Sequence, residues 1–218
     1  MRPAFIAATI VLLVSPVRPA SAQSLSGLYL QNQSMGRGDV WHYYYFWPDG
    51  HMCNAMPKGG LNPAPSYPAV AAANPGQCGT FAIRGKSLDV QTDGGGKPVS
   101  LKLDNVDKSG FSLSGFPTIH APAFPPGAVL NGTWKTLMIF GSDYRNWSYT
   151  FHPDGRYEFD DARVRAVGAP PRHLTGTYTL VGNTVRITSP NGAETKSIHP
   201  FPADSRLSIE GVVMEKKP

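Results

Sequence analysis

The chain is written twice. Leu25-Ser26-Gly27-Leu28-Tyr29 is answered by Leu130-Asn131-Gly132-Thr133-Trp134, 105 positions later. At the same offset Tyr44, Phe46, Pro48, Asp49 and Gly50 meet Tyr149, Phe151, Pro153, Asp154 and Gly155. From Gly79-Thr80-Phe81 to Gly176-Thr177-Tyr178 the offset is 97. Gly85, Leu88 and Val90 then meet Gly182, Val185 and Ile187, and Leu113 and Gly115 precede the matching Ile209 and Gly211. A repeat this ordered constrains the fold more than any single motif, because each copy must form one structural unit. The drop in offset places about eight extra residues in the first copy, between Gly50 and Gly79.

Within each copy the apolar period is two. Trp147, Tyr149 and Phe151 alternate with Ser148, Thr150 and His152; Val185 and Ile187 alternate with Arg186 and Thr188. That alternation predicts strands with one buried face. Asp49-Gly50, Asp154-Gly155, Asp93-Gly94 and Asn191-Gly192 read as tight turns between them. Gly 23 and Pro 21 in 218 residues are well above average usage and disfavour a helical bundle or coiled coil. Seven or eight short antiparallel strands per copy are expected to close on themselves and so remove their edges. The expected fold is all-β: two tandem antiparallel meander barrels, with one larger double-sheet body as the alternative.

The ends and charges set an address. Arg2, the apolar run Phe5 to Val14 and the small residues Ala20-Ser21-Ala22 have the three-part form of a secretory signal peptide. The expected division is a signal peptide at 1–22, a first repeat at 23–116, a linker at 117–126 and a second repeat at 127–218. No later segment is apolar enough for a membrane span, so an exported, periplasmic or secreted product is expected. Loss of Arg2 and Arg18 with the signal peptide would lower the formal charge from +5 to +3, too mild for a nucleic-acid partner, which needs a dense basic stripe. Cys53 and Cys78 are the chain's two cysteines, and in an oxidising compartment they are expected to form a disulfide.

The Gly132-Thr133-Trp134 opening, the aromatic Phe-x-x-Asp-Gly hairpin and the Gly-Thr-Tyr-x-Leu strand resemble the short lipocalin-like barrel domains of exported bacterial proteins. The resemblance covers both copies. It implies barrels that either hold a small apolar molecule or are filled by side chains. It also implies a basic residue packed on the opening Trp134, a part that Arg206 is placed to play; Tyr29 and Ser109-Gly110 break the parallel in the first copy.

Differences between the copies point to function. Trp41, Tyr43, Tyr45 and Trp47 stand where the second copy has Asn146, Ser148, Thr150 and His152. Four aromatics on a face expected to be wet call for packing against the other copy or a dimer mate, cover by a loop, or a ligand or interaction surface. The Pro-rich loop Met56 to Gln77 is expected to be ordered, clamped by the disulfide, as a lid over a barrel mouth. Its counterpart, Asp160 to Leu174, offers Arg163, Arg165 and Arg172 as a candidate anion site, with Asp160-Asp161 read as solvated.

The six histidines are scattered, and no Gly-x-Ser-x-Gly elbow or His-Glu-x-x-His motif occurs. No catalytic residue, metal site or cofactor is assigned. The expected function is an exported, non-catalytic binding or interaction protein, its partner a small molecule, glycan or protein. The alternatives are a small apolar-molecule carrier using a barrel cavity, and a hydrolase with its site at a barrel mouth. Whether the barrels are hollow or filled separates the carrier from the interaction module.

Overall fold

A computed structural model describes residues 25–34, 39–107, 109–140, 143–163, 172–201 and 205–218. The signal-peptide reading of residues 1–22 and Arg165 lie outside them.

The first copy forms β1 (Gly27–Ser34), β2 (Asp39–Phe46), β3 (His51–Cys53), β4 (Cys78–Arg84), β5 (Ser87–Thr92), β6 (Val99–Asp104), β7 (Gly110–Leu113) and β8 (Phe116–His120). The second forms β9 (Gly132–Phe140), β10 (Asp143–Phe151), β11 (Arg156–Arg163), β12 (Arg172–Val181), β13 (Thr184–Ser189), β14 (Gly192–Pro200), β15 (Leu207–Ile209) and β16 (Val212–Lys216). Each set is an antiparallel meander whose last strand pairs with its first, giving two closed eight-stranded barrels in tandem, consistent with a lipocalin-like fold. A short helix, α1 (Tyr67–Ala73), lies in the Pro-rich loop. No helix of the described residues is long and apolar enough to cross a membrane.

The repeated residues are those the barrel geometry demands. At Trp47-Pro48-Asp49-Gly50 the Trp47 N–H donates to His51 O (2.8 Å) and the Phe81 N–H to Gly50 O (2.8 Å). At His152-Pro153-Asp154-Gly155 the matching bonds are His152 to Arg156 O (2.9 Å) and Tyr178 to Gly155 O (2.7 Å). Gly79 and Gly176 are repeated because a side chain there has no room. A Cβ would sit 2.0 Å from the Gln91 carbonyl oxygen in one barrel and 1.9 Å from that of Thr188 in the other. Only glycine allows the backbones to approach so closely.

Two boundaries differ from expectation. The segment read as linker from 117 begins as strand, since β8 runs to His120 and pairs with β1 to close the first barrel. The Asn191-Gly192 turn is tight, with Ser189 paired to Gly192, whereas residues 93–98 form a six-residue connection between β5 and β6.

The first barrel is filled. Tyr29, Tyr44, Phe46, Met52, Leu88, Leu103, Phe111 and Leu113 pack inside it, and the Tyr29 ring centroid lies 5.5 Å from that of Phe46 and 5.1 Å from that of Phe111. A buried polar plug completes the packing. Gln31 Nε2 donates to Thr118 Oγ1 (3.1 Å) and Leu113 O (3.3 Å), while the Tyr44 hydroxyl donates to Gln31 Oε1 (3.2 Å). Every member is satisfied, which is what makes a polar group tolerable in a core.

Candidate functional site

Trp41, Tyr43 and Tyr45 of β2, with Trp47 just beyond its end, project outward into a separate apolar cluster between the barrels and under the loop. The Tyr43 hydroxyl lies 3.1 Å from Ser208 Oγ and donates to Gly211 O at 3.2 Å, both in the second barrel. Trp41 meets Phe201 edge-on at 4.5 Å. Trp47 turns the other way, donating from Nε1 to Pro65 O (2.7 Å) and packing on Tyr67 of α1. Three of the four are buried and Trp41 is half-buried.

Cys53 and Cys78 are register partners on β3 and β4 and form a disulfide at the loop's base. Its helix α1 stays on the first barrel, with Tyr67 stacked on His51 and bonded to Asp93, while the start of the loop reaches the second barrel. Loop residues 57–62 dock on the outer face of β13 and β14: Gly60 N–H donates to Ser197 Oγ (3.2 Å), Leu61 and Asn62 N–H to Thr184 Oγ1 (both 2.7 Å), and Ser197 Oγ–H to Pro57 O. That docking brings Lys58 to the mouth of the second barrel.

This mouth opens on a cavity of about 730 Å³. Such a volume lies within the roughly 300–1,000 Å³ of small-molecule sites. Its apolar lining comes from inward positions of the strands, including Trp147, Phe159, Leu174, Ile187, Ile209 and Met214. Its polar lining is Tyr149, Tyr157, Ser189 and six charged residues: Asp161, Glu194 and Glu210 against Lys58, Arg172 and Lys196. Lys196 Nζ lies 2.8 Å from Glu194 and 3.4 Å from Glu210. Burial opposes its charge, but Glu194, Tyr149 and Glu210 together more than offset that, so the ammonium titrates above the usual lysine range. The Tyr149 phenol is pushed up to about 12, mainly by burial, with Lys196 pulling the other way. Trp147 Nε1 and Asp161 Oδ1, on register partners of β10 and β11, are sealed in the cavity wall without a hydrogen-bond partner.

In the second barrel the plug has been exchanged. At the repeat offset Tyr44 becomes Tyr149 but Gln31 becomes the shorter Thr136. Thr136 is the register partner of Trp147 and so shares its inward face. The Tyr149 hydroxyl therefore has no hydrogen-bond partner among the described residues. Register adds the charged group. Leu101 pairs with Leu88 as Lys196 pairs with Val185, and Val99 with Val90 as Glu194 with Ile187. An apolar pair in the first copy is thus a Glu–Lys pair in the second. Glu210 matches Ser114; both sit at a left-handed turn position, with φ of 50° and 53°.

Of the candidate anion site, Arg172 lines the cavity; Arg163 is placed only by its backbone register with Arg145. Asp160 and Asp161, read as a solvated pair, separate. Asp161 faces the cavity, while Asp160 accepts from Ser148 Oγ (3.4 Å) and contacts His173 Nδ1 (2.7 Å). Ser, Asp and His meet here, but the carboxylate stands between the other two. Nucleophilic catalysis needs the imidazole against the hydroxyl. Among the described residues no group of three or more His, Cys, Asp or Glu is placed to hold a metal.

Lys216, not Arg206, covers the opening tryptophan: its Nζ lies 5.1 Å from the Trp134 ring centroid. Arg206 instead places its guanidinium over Trp41 (5.4 Å) and Phe201 (5.2 Å), tying the barrels together. Sequence reasoning missed Lys196, Glu194 and Glu210. Their signal was present as polar residues breaking the inward apolar period, but it becomes legible only when the copies are aligned strand by strand.

Comparison with family models, curated proteins and solved structures finds no match.

Proposed function

We propose that the protein is an exported, lipocalin-like binding protein that holds a small molecule in the cup of its second barrel. The observation supporting this reading is the contrast between a filled first barrel and a second whose equivalent space is a cavity of about 730 Å³ lined by rings and a charged cluster. The first barrel then serves as a stand: its outer aromatics brace the second barrel, and its clamped loop supplies Lys58 to the rim. Export accords with the N-terminal segment and with a disulfide that persists in oxidising compartments.

The test is titration with N-phenyl-1-naphthylamine, a neutral apolar dye that fluoresces out of water. The wild type is expected to bind it saturably. Leu174→Trp with Val212→Trp narrows the cup and should weaken binding at least about tenfold while unfolding remains cooperative. Equal binding by a folded double variant would refute the site.

A further inference from the structure

The Tyr149 side chain is 8% exposed and lines the cavity. Its equivalent, Tyr44, gives its proton to Gln31 Oε1 at 3.2 Å. The second copy keeps the phenol and removes that acceptor, so the hydroxyl is left facing the cavity. An occupant that displaces water from this hydroxyl without offering an acceptor leaves it unpaired, so one that supplies the acceptor gains more than one that does not. The charges around it do not favour an ion. Three carboxylates face three cations in the lining, and Lys196 is already held by Glu194 and Glu210. An anionic head would meet those carboxylates, and a cationic one would meet Lys196.

We infer that Tyr149 is the specificity-determining residue of the cup, and that the ligand class is a neutral molecule with a ring-shaped apolar body and one hydroxyl head. The hydroxyl oxygen takes the Tyr149 proton, as Gln31 does in the first barrel, and its own proton is directed to a carboxylate of the cluster. The rings and aliphatic side chains below hold the body. This rests on the reading of the cavity as a ligand site.

Equilibrium dialysis of the full chain at neutral pH with 2-naphthol, naphthalene and 2-naphthoate tests it. The wild type is expected to hold 2-naphthol about tenfold more tightly than naphthalene, although water solvates the naphthol better. Tyr149→Phe keeps the ring and should reduce that preference to about twofold or less, with naphthalene affinity unchanged. Equal wild-type affinities for 2-naphthol and naphthalene would overturn the inference, as would a preference that survives in Tyr149→Phe. Tightest binding of 2-naphthoate would overturn it in favour of an anion site. Binding of none of the three would overturn the cavity reading itself, and the inference with it. Should Tyr149→Phe not fold, the wild-type ranking of the probes still decides.

Discussion

The two barrels share a strand plan, turns and crowded glycines, yet one is solid and the other hollow. In the first, Gln31, Thr118 and Tyr44 form a closed hydrogen-bonded plug over an aromatic core. In the second, Thr136 leaves Tyr149 without that partner, and Glu194 and Lys196 replace Val99 and Leu101 at the same register positions. Closure of a barrel depends on strand number, stagger and turns. Filling depends on the volume of the inward side chains, which can change without touching the turns. The two copies thus share closure and differ in filling.

The largest test breaks the contact through which the first barrel supports the second. Tyr43→Ser with Tyr45→Thr copies the residues at Ser148 and Thr150, so strand geometry is kept. Burial of such side chains is worth roughly 1.5–3 kcal/mol each, so a loss of about 3–6 kcal/mol is expected in chemical denaturation. An unchanged midpoint would show that the stripe does not join the barrels.

The same contact has a pH limit. His199 is fully buried between Tyr43 and Phe201, with Arg206 over the Phe201 ring. Burial pushes its imidazole down to about 4 from an ordinary 6.5, only partly opposed by the Pro200 carbonyl. The unfolded chain therefore takes up a proton near pH 6.5 that the folded one refuses until about pH 4. Stability from this residue is complete above pH 6.5 and declines as the pH falls toward 4, by a total on the order of 3 kcal/mol. His199→Phe should flatten this part of the profile, leaving the acid loss from carboxylates with lowered pKa, such as Asp89 and Glu194. Parallel curves for the two proteins between pH 7 and pH 4 would show that His199 is not the group responsible.

The smallest effects sharpen the plug comparison by exchanging it. Gln31→Thr should cost about 1–3 kcal/mol, because it deprives Tyr44 of its acceptor and leaves a void. Thr136→Gln should change stability by less than about 1 kcal/mol, since it adds a hydrogen bond and fills open space. It should nevertheless abolish probe binding in the second barrel. If Thr136→Gln binds N-phenyl-1-naphthylamine as the wild type does, the absence of the plug is not what makes the second barrel hollow.

Much of this was written in the chain itself. The repeat, the period of two and the Asp-Gly turns determine two closed meanders, because each is a local property of backbone and hydrophobic pattern. The aromatic excess at Trp41, Tyr43, Tyr45 and Trp47 marked a face that needed cover, and the two cysteines around the loop marked its clamp. What covers that face was decided only in three dimensions, by which side of each barrel the other copy and the loop dock against. The cavity belongs to the same class. Gln31 and Thr136 are both polar residues in similar strands, and nothing local says that one meets Thr118 and Tyr44 while the other leaves a space. Their effect depends on a partner 13 residues away on the neighbouring strand and another 87 residues away that only closure of the barrel brings close. A sequence determines such a site through the sum of side-chain volumes around a ring of strands, and that sum exists only after the ring has closed.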